Sequence, residues 1–330
     1  MDPRGRRAVE RTRSRRGPRL TMAWRSLETR RVPEIEPVRP PEGAVFGVKV
    51  LASGSSGNAS LVYVPGPAPG RPSWLGMIDA GISPARVRKL LAADGLDMLR
   101  IDDVIYTHLD RDHAQLTWSK LRACRAVRRI HRRHVSRAER DGHAFRRIET
   151  YDDPFDVSTG IRVRSVLSAH DQLGVAVLRL EFETAAGNAS LGFATDVGSI
   201  ENAWLDLLRG VDILAIESNY CPQLQLASPR PPALKRRIMG GAGHLSNAES
   251  AEAVESIDPA QSIVLLHRSQ QCNDARRVFE AHARRADRLT LSDQAEPTPW
   301  LWATSTPARA ARPASAPRRP ATLFDHLPIG

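Results

Sequence analysis

Five apolar runs in this chain each end at or just before a side chain able to bind a metal ion. Residues 104–107 lead to His108, 161–167 to His170, 190–194 to Asp196, 211–216 to Glu217 and 262–266 to His267. Short runs rich in Val, Ile and Leu are strand signals. Side chains at the same ends of neighbouring strands converge in space even when distant in sequence. A single histidine at a strand end has an ordinary structural explanation. Five such ends call for a fold that gathers its strand tips along one sheet edge. The densest stretch is His108-Leu109-Asp110-Arg111-Asp112-His113, with four metal-capable groups in six residues. Strand alternation turns His108 and Asp110 to one point, and the turn that follows lets Asp112 and His113 meet a second. Imidazole combined with carboxylate suits zinc, manganese or iron better than calcium.

The remaining pattern alternates strands with helices. Strands are expected at 45–51, 61–64, 74–78, 104–107, 161–167, 175–182, 190–194, 211–216 and 262–266. A Pro/Gly-rich hairpin loop fills 65–73, and a second hairpin turns through Gly187-Asn188. Ser83 reads as the N-cap of a helix reaching Leu91. Further helices are expected soon after His113 and over 200–208, 247–257 and 273–284. The class is α/β (α+β), with sheets packed face to face inside helices.

The net charge of +11 suggests a polyanion partner until it is located. Residues 1–40 hold 12 Arg against 5 acidic residues, and residues 303–330 hold 4 against 1, so the middle of the chain is almost neutral. Residues 1–42 and 303–330 therefore read as Arg/Pro-rich disordered extensions flanking one domain over 43–302. No apolar run approaches the roughly 20 residues of a membrane-spanning helix, and the Arg-rich start lacks the apolar core of a secretory signal. Three scattered cysteines form no CxxC pair, which points to a reducing cytoplasm.

Several motifs in order resemble the metallo-β-lactamase fold, and within it the YycJ/WalJ-like branch. They are Leu51-Ala52-Ser53-Gly54-Ser55-Ser56-Gly57-Asn58, Ile78-Asp79-Ala80-Gly81, the His108–His113 stretch, Thr195-Asp196-Val197-Gly198, Glu217-Ser218-Asn219 and Gly243-His244-Leu245-Ser246-Asn247. The resemblance covers about residues 45–285 and implies an αββα sandwich with two divalent metal ions, zinc or manganese with iron possible. By position, His108, Asp110 and His170 would hold one ion, Asp112, His113 and His267 the other, with Asp196 bridging. His244 matches a position near the leaving group in related phosphodiesterases. Two departures stand out: Asp110 replaces the second His of His-x-His-x-Asp-His, and no His follows Asn219. Asp110 shifts preference toward harder metals, or marks a weakened first site.

The chemistry implied is a metal-activated water attacking a phosphoryl or carbonyl centre, with Asp112 or Asp196 taking its proton and His244 as general acid. Ser55, Ser56, Asn58, Asn219, Ser246 and Asn247 are the candidate substrate contacts; the Gly/Ser loop would offer backbone N–H groups to a phosphate. No P-loop, dinucleotide fingerprint or G-x-S-x-G elbow is present. Residues 120–147 are rich in Arg and follow the metal loop directly, so they read as a phosphate track, and Lys235-Arg236-Arg237 as a second anchor. Sparse aromatics there favour backbone grip over base reading. A metal-dependent phosphodiesterase, an exonuclease-like enzyme acting on DNA or RNA ends, is the leading expectation. A hydrolase of small esters, lactones or cyclic phosphates, and a non-catalytic binding protein, are the alternatives.

Overall fold

The computed structural model describes residues 36–305. Their strands form two seven-stranded sheets. The first contains β1 (Ala44–Ala52), β2 (Ala59–Val64), β3 (Trp74–Ile78), β4 (Asp103–Ile105), β5 (Val127–His131), β6 (Ile148–Tyr151) and β14 (Leu301–Thr304), in the order β14-β1-β2-β3-β4-β5-β6. The second contains β7 (Phe155–Ser158), β8 (Ile161–Ser168), β9 (Val175–Thr184), β10 (Gly187–Ala194), β11 (Ile213–Glu217), β12 (Ser262–Leu266) and β13 (Leu289–Leu291), in the order β13-β12-β11-β10-β9-β8-β7.

Strand alternation explains the layering. Trp74 and Ile78 of β3 turn into the space between the sheets, whereas Leu75 and Met77 turn outward. On β9, Ala176, Leu178, Leu180 and Phe182 face inward and Val175 and Val177 outward. Phe46 and Phe182 stack across the sheets with centroids 4.3 Å apart. Truncating a buried phenylalanine of this kind costs about 3–5 kcal/mol. Outside the first sheet, α1 (Pro84–Ala93) buries Val87 and Leu91. Outside the second, α3 (Asn202–Leu208), α6 (Asn247–Ile257) and α7 (Ala275–Ala281) bury Trp204, Leu208, Val254, Ile257 and Val278. The result is the αββα sandwich.

Topology then fixes where the strand tips go. Strands β3, β4, β5 and β6 run parallel, as do β10, β11, β12 and β13. Strands β1 and β3 are both antiparallel to β2, and β8 and β10 both antiparallel to β9. Within each sheet, the C-terminal ends of all the strands expected to carry ligands therefore share one edge.

Several local expectations are corrected. No α-helix starts after His113; the chain makes a single 3-10 turn at Leu116–Trp118, with Trp118 buried and its Nε1 donating to the Ile82 carbonyl at 2.8 Å. The β9–β10 hairpin turns at Ala185 and Ala186 rather than Gly187-Asn188, which pair with Thr184 and Glu183. The Arg-rich stretch is a strand, β5, followed by the short helix α2 (Val135–Arg140). Arg128 and Arg129 are buried, the latter paired with Asp103 and Glu149 at 2.7 Å each, so the stretch is no continuous exposed phosphate track. The domain also exceeds its expected limits. Val38 is buried with its N–H donating to the Asp94 carbonyl, and β14 continues to Thr304. The rest of both expected extensions lies outside the described residues. Among the described residues, no helix is long and apolar enough to cross a membrane.

Candidate metal centre

Three of the strand ends at this site leave the sheet through left-handed backbone. Asp79, Asp196 and His267 follow β3, β10 and β12 with φ of 59°, 54° and 51°. Positive φ is uncommon outside glycine and costs free energy, and it gathers at functional sites. Here it turns each side chain from the sheet edge toward its neighbours. A close backbone approach supports the same corner. Gly81 N donates to the Asn58 carbonyl and Asn58 N to the Asp112 carbonyl, and a Cβ on Gly81 would overlap that Asp112 carbonyl.

The structure brings His108, Asp110, Asp112, His113, His170, Asp196 and His267 together. His108 Nε2 lies 3.5 Å from Asp196 Oδ2 and 3.8 Å from Asp110 Oδ2, and His170 Nε2 lies 3.5 Å from the same Asp110 oxygen. On the other side, His113 Nε2 is 2.6 Å from Asp196 Oδ2, and Asp112 Oδ2 is 3.8 Å from both His113 Nε2 and His267 Nε2. Asp196 Oδ1 contacts His267 Nδ1 and lies 3.2 Å from His244 Nδ1. Asp196 is thus shared by every cluster. In each of the groups His108-His170-Asp196, Asp112-His113-Asp196-His267 and Asp196-Glu217-His244-His267, one ligand atom per residue lies within 4.8 Å of the others.

These residues fit divalent cations. The donors are imidazole nitrogens and carboxylate oxygens, the set that suits zinc, manganese or iron. His108 Nε2, His170 Nδ1 and His267 Nε2 are buried without a hydrogen-bond partner. Such groups are costly to bury unless something binds them.

Two fully buried carboxylates steer the imidazoles from behind. Asp79 Oδ2 accepts from His113 Nδ1 at 2.7 Å, and the same carboxylate accepts from Thr107 N at 2.8 Å and from Thr107 Oγ1. Glu217 Oε2 lies 3.1 Å from His244 Nδ1, while Oε1 accepts from Leu245 N. Sequence reasoning counted Glu217 among the strand-end groups and quoted Asp79 within a motif, but gave neither a role. The available signal was an acidic residue closing an apolar strand.

Electrostatics follow from this crowding. Burial pulls His113 down, but Asp196 and Asp79 outweigh it and hold its pKa well above the usual histidine value. Burial likewise opposes, and Asp196 leads in producing, a strong rise at His267. At His244 burial is outweighed by Glu217 and Asp196, which raise it to about 9. His108 falls well below the usual value through burial and the neighbouring His113. Asp110 is lowered by its hydrogen bond with His170, against burial.

A cavity of about 480 Å³ opens onto the cluster. Asp110, Asp112, His170, Asp196, His244 and His267 line it, joined by Ser55 and Asn219. The other expected substrate contacts are occupied elsewhere. Ser246 caps α6 in a reciprocal capping box with Glu249, and Asn247 is buried in a network with Ser218 and Asn273. Asn58 accepts from Gly54 N, and Ser56 N donates to Gln294. The Gly/Ser loop therefore spends the N–H groups of Ser53, Gly54, Ser56, Gly57 and Asn58 on itself and its neighbours.

Residues 77–267 match the family described as Beta-lactamase superfamily domain. The chain is 25% identical over 236 residues to exodeoxyribonuclease YycJ of Bacillus anthracis, covering 68% of this chain and 83% of that protein. It is 24% identical over 247 residues to exodeoxyribonuclease WalJ of Streptococcus pneumoniae, covering 69% and 83%. Among solved structures, a diphosphatase from the PhnP family superimposes with a TM-score of 0.55 at 16% identity, over 78% of this chain and 98% of that one. At that identity the likeness speaks to the fold alone.

Proposed function

The chain belongs to the beta-lactamase superfamily and is a metallo-hydrolase by family, and from that premise we propose that it is a two-metal phosphodiesterase, a nuclease acting on DNA or RNA. The observation that carries this reading is the central place of Asp196, which lies within ligand reach of His108 and His170 and, separately, of Asp112, His113 and His267. The exodeoxyribonuclease relatives support the choice of nucleic acid.

In this reading His108, Asp110 and His170 would hold one cation and Asp112, His113 and His267 the other, with Asp196 within reach of each set. Zinc or manganese suits that donor set, with iron also compatible. The cations would supply Lewis acidity and bring the pKa of a water toward neutrality. Asp112, half-exposed on the cavity wall, accepts the proton of the attacking water. His244 donates to the departing oxygen: Glu217 holds Nδ1 at 3.1 Å and the ring lines the cavity. Asn219 Nδ2 donates to the His267 carbonyl at 2.6 Å and so fixes the turn that presents that ring. The three cysteines are buried and unpaired, in keeping with a cytoplasmic setting.

The test is cleavage of end-labelled single-stranded and duplex DNA and RNA with added manganese or zinc, wild type against Asp196→Ala. Metal-dependent release of nucleotides, abolished by the substitution, is expected. A metal-loaded wild type that leaves every substrate intact would overturn the reading.

A further inference from the structure

Part of the cavity lining carries positive charge that no carboxylate among the described residues pairs with. It is built by the segment between α4 (Pro222–Ala227) and α5 (Pro232–Met239), by α5 itself and by the loop after β12. Arg230 and Arg237 both line it. Among the described residues neither has a carboxylate partner, unlike Arg129, Arg137, Arg179 and Arg285, which are ion-paired.

Arg230 is nevertheless held in place. Its Nε donates to Gln271 Oε1 at 3.2 Å, Nη1 to Gln225 Oε1 at 3.1 Å and Nη2 to Ser269 Oγ at 3.4 Å. Gln225 and Ser269 are themselves buried. Three neutral acceptors orient a guanidinium without cancelling its charge. A guanidinium has five N–H donors, so two remain for a ligand, in the fork geometry that suits phosphate. Leu234 and Ile238 add apolar surface to the same lining, and Leu234 is 39% exposed. A cavity lined by a metal cluster, fixed cations and apolar side chains matches a phosphate flanked by sugar or base.

We infer that Arg230, with Arg237 beside it, binds a phosphate of the substrate other than the one cleaved, so that the preferred substrate is a nucleotide chain rather than an isolated phosphodiester. This rests on the phosphodiesterase reading above for its catalytic arm, but not for its binding arm.

The experiment uses the full chain loaded with manganese and two substrates: a short single-stranded DNA oligonucleotide, and bis(p-nitrophenyl) phosphate, which has only one phosphate. Loss of a charge-assisted phosphate contact in Arg230→Gln should cut kcat/KM on the oligonucleotide about tenfold or more, chiefly through KM. Hydrolysis of bis(p-nitrophenyl) phosphate should stay unchanged. Arg237→Gln, at an exposed position that tolerates substitution, should act in the same direction more weakly. Arg276→Gln, on α7 and paired with Glu280, removes the same charge elsewhere and should change neither substrate. Fluorescence anisotropy of a labelled oligonucleotide with metal-free protein gives the second arm. Arg230→Gln should weaken binding and flatten its log–log salt dependence by about 0.7–1. Equal losses on both substrates, or an unchanged oligonucleotide KM with an unchanged salt slope, overturn the inference. If the wild type cleaves neither substrate, the phosphodiesterase reading fails, and the anisotropy comparison alone decides this one.

Discussion

Asp79 and His113 form a buried pair in which the ring Nδ1 donates to the carboxylate at 2.7 Å. The bond fixes the tautomer and turns Nε2 toward Asp196. The same carboxylate holds Thr107, whose Oγ1 lies 3.0 Å from His108 Nδ1. One carboxylate therefore orients an imidazole in each proposed metal shell.

This arrangement separates two substitutions. Removing the partner behind a metal-binding histidine typically weakens metal affinity by about 10–100-fold. Asp79→Ala should weaken both sites by that order, whereas Thr107→Val should weaken only the site of His108. Competition against a chromophoric chelator measures each affinity. Equal behaviour of the two variants would contradict the arrangement.

Asp110 and Asp196 should differ in the number of cations they govern. Asp110 Oδ2 faces only His108 and His170, and its Oδ1 is engaged by Arg137 at 2.7 Å. Asp110→Ala is expected to retain about one cation per chain and Asp196→Ala almost none, by elemental analysis after dialysis.

His244 has a role separable from metal retention. His244→Ala should reduce kcat by about 10²–10⁴-fold, the usual span for a lost general acid, with metal content preserved. Metal loss in parallel with activity would instead assign His244 to the Asp196-Glu217-His267 group as a ligand.

The histidine shifts predict opposite pH responses with and without metal. In the metal-free protein His113, His267 and His244 are raised, despite burial, by neighbouring carboxylates. A raised histidine contributes stability that is complete below its unfolded pKa of about 6.5 and is lost as pH rises through the folded value. His108, shifted the other way, is neutral in both states above about pH 7.5 and adds no slope there. The metal-free Tm should therefore fall from neutral pH through about 9. Metal affinity should rise over the same range, because binding displaces the protons of the two ligands His113 and His267. Thermal unfolding across pH, with and without excess manganese, reads both.

Ser246→Ala removes half of the capping box that starts α6. It should cost about 1 kcal/mol, or roughly 2 °C in Tm for a domain of this size, with metal content unchanged.

Much of the site is legible in the sequence because each ligand closes a buried strand whose apolar run is unmistakable. Strands β4, β8, β10, β11 and β12 are read that way, and the common direction of β8, β10, β11 and β12 within their sheet does the gathering. What the sequence hides has physical causes. The strands β6, β7, β13 and β14 escape notice, and they are the four sheet edges. Burial is sparse along them, as in β7 and β13, which contain no buried residue, so no strong alternation marks them. Strand β5 is hidden differently: its buried arginines read as solvated charge, because the acidic partners of Arg129, Asp103 and Glu149, lie on neighbouring strands. The left-handed turns at Asp79, Asp196 and His267 have no pattern of their own. Nor does the embrace of Arg230, whose three partners come from α4 and the loop after β12.

The most direct test of the central proposition is anomalous diffraction from crystals grown with manganese or zinc. Two peaks are expected, one on each side of Asp196, the first within bonding distance of His108 and His170 and the second of His113 and His267. A single peak that leaves His170 or His267 without a bond, or no peak beside Asp196, would contradict it.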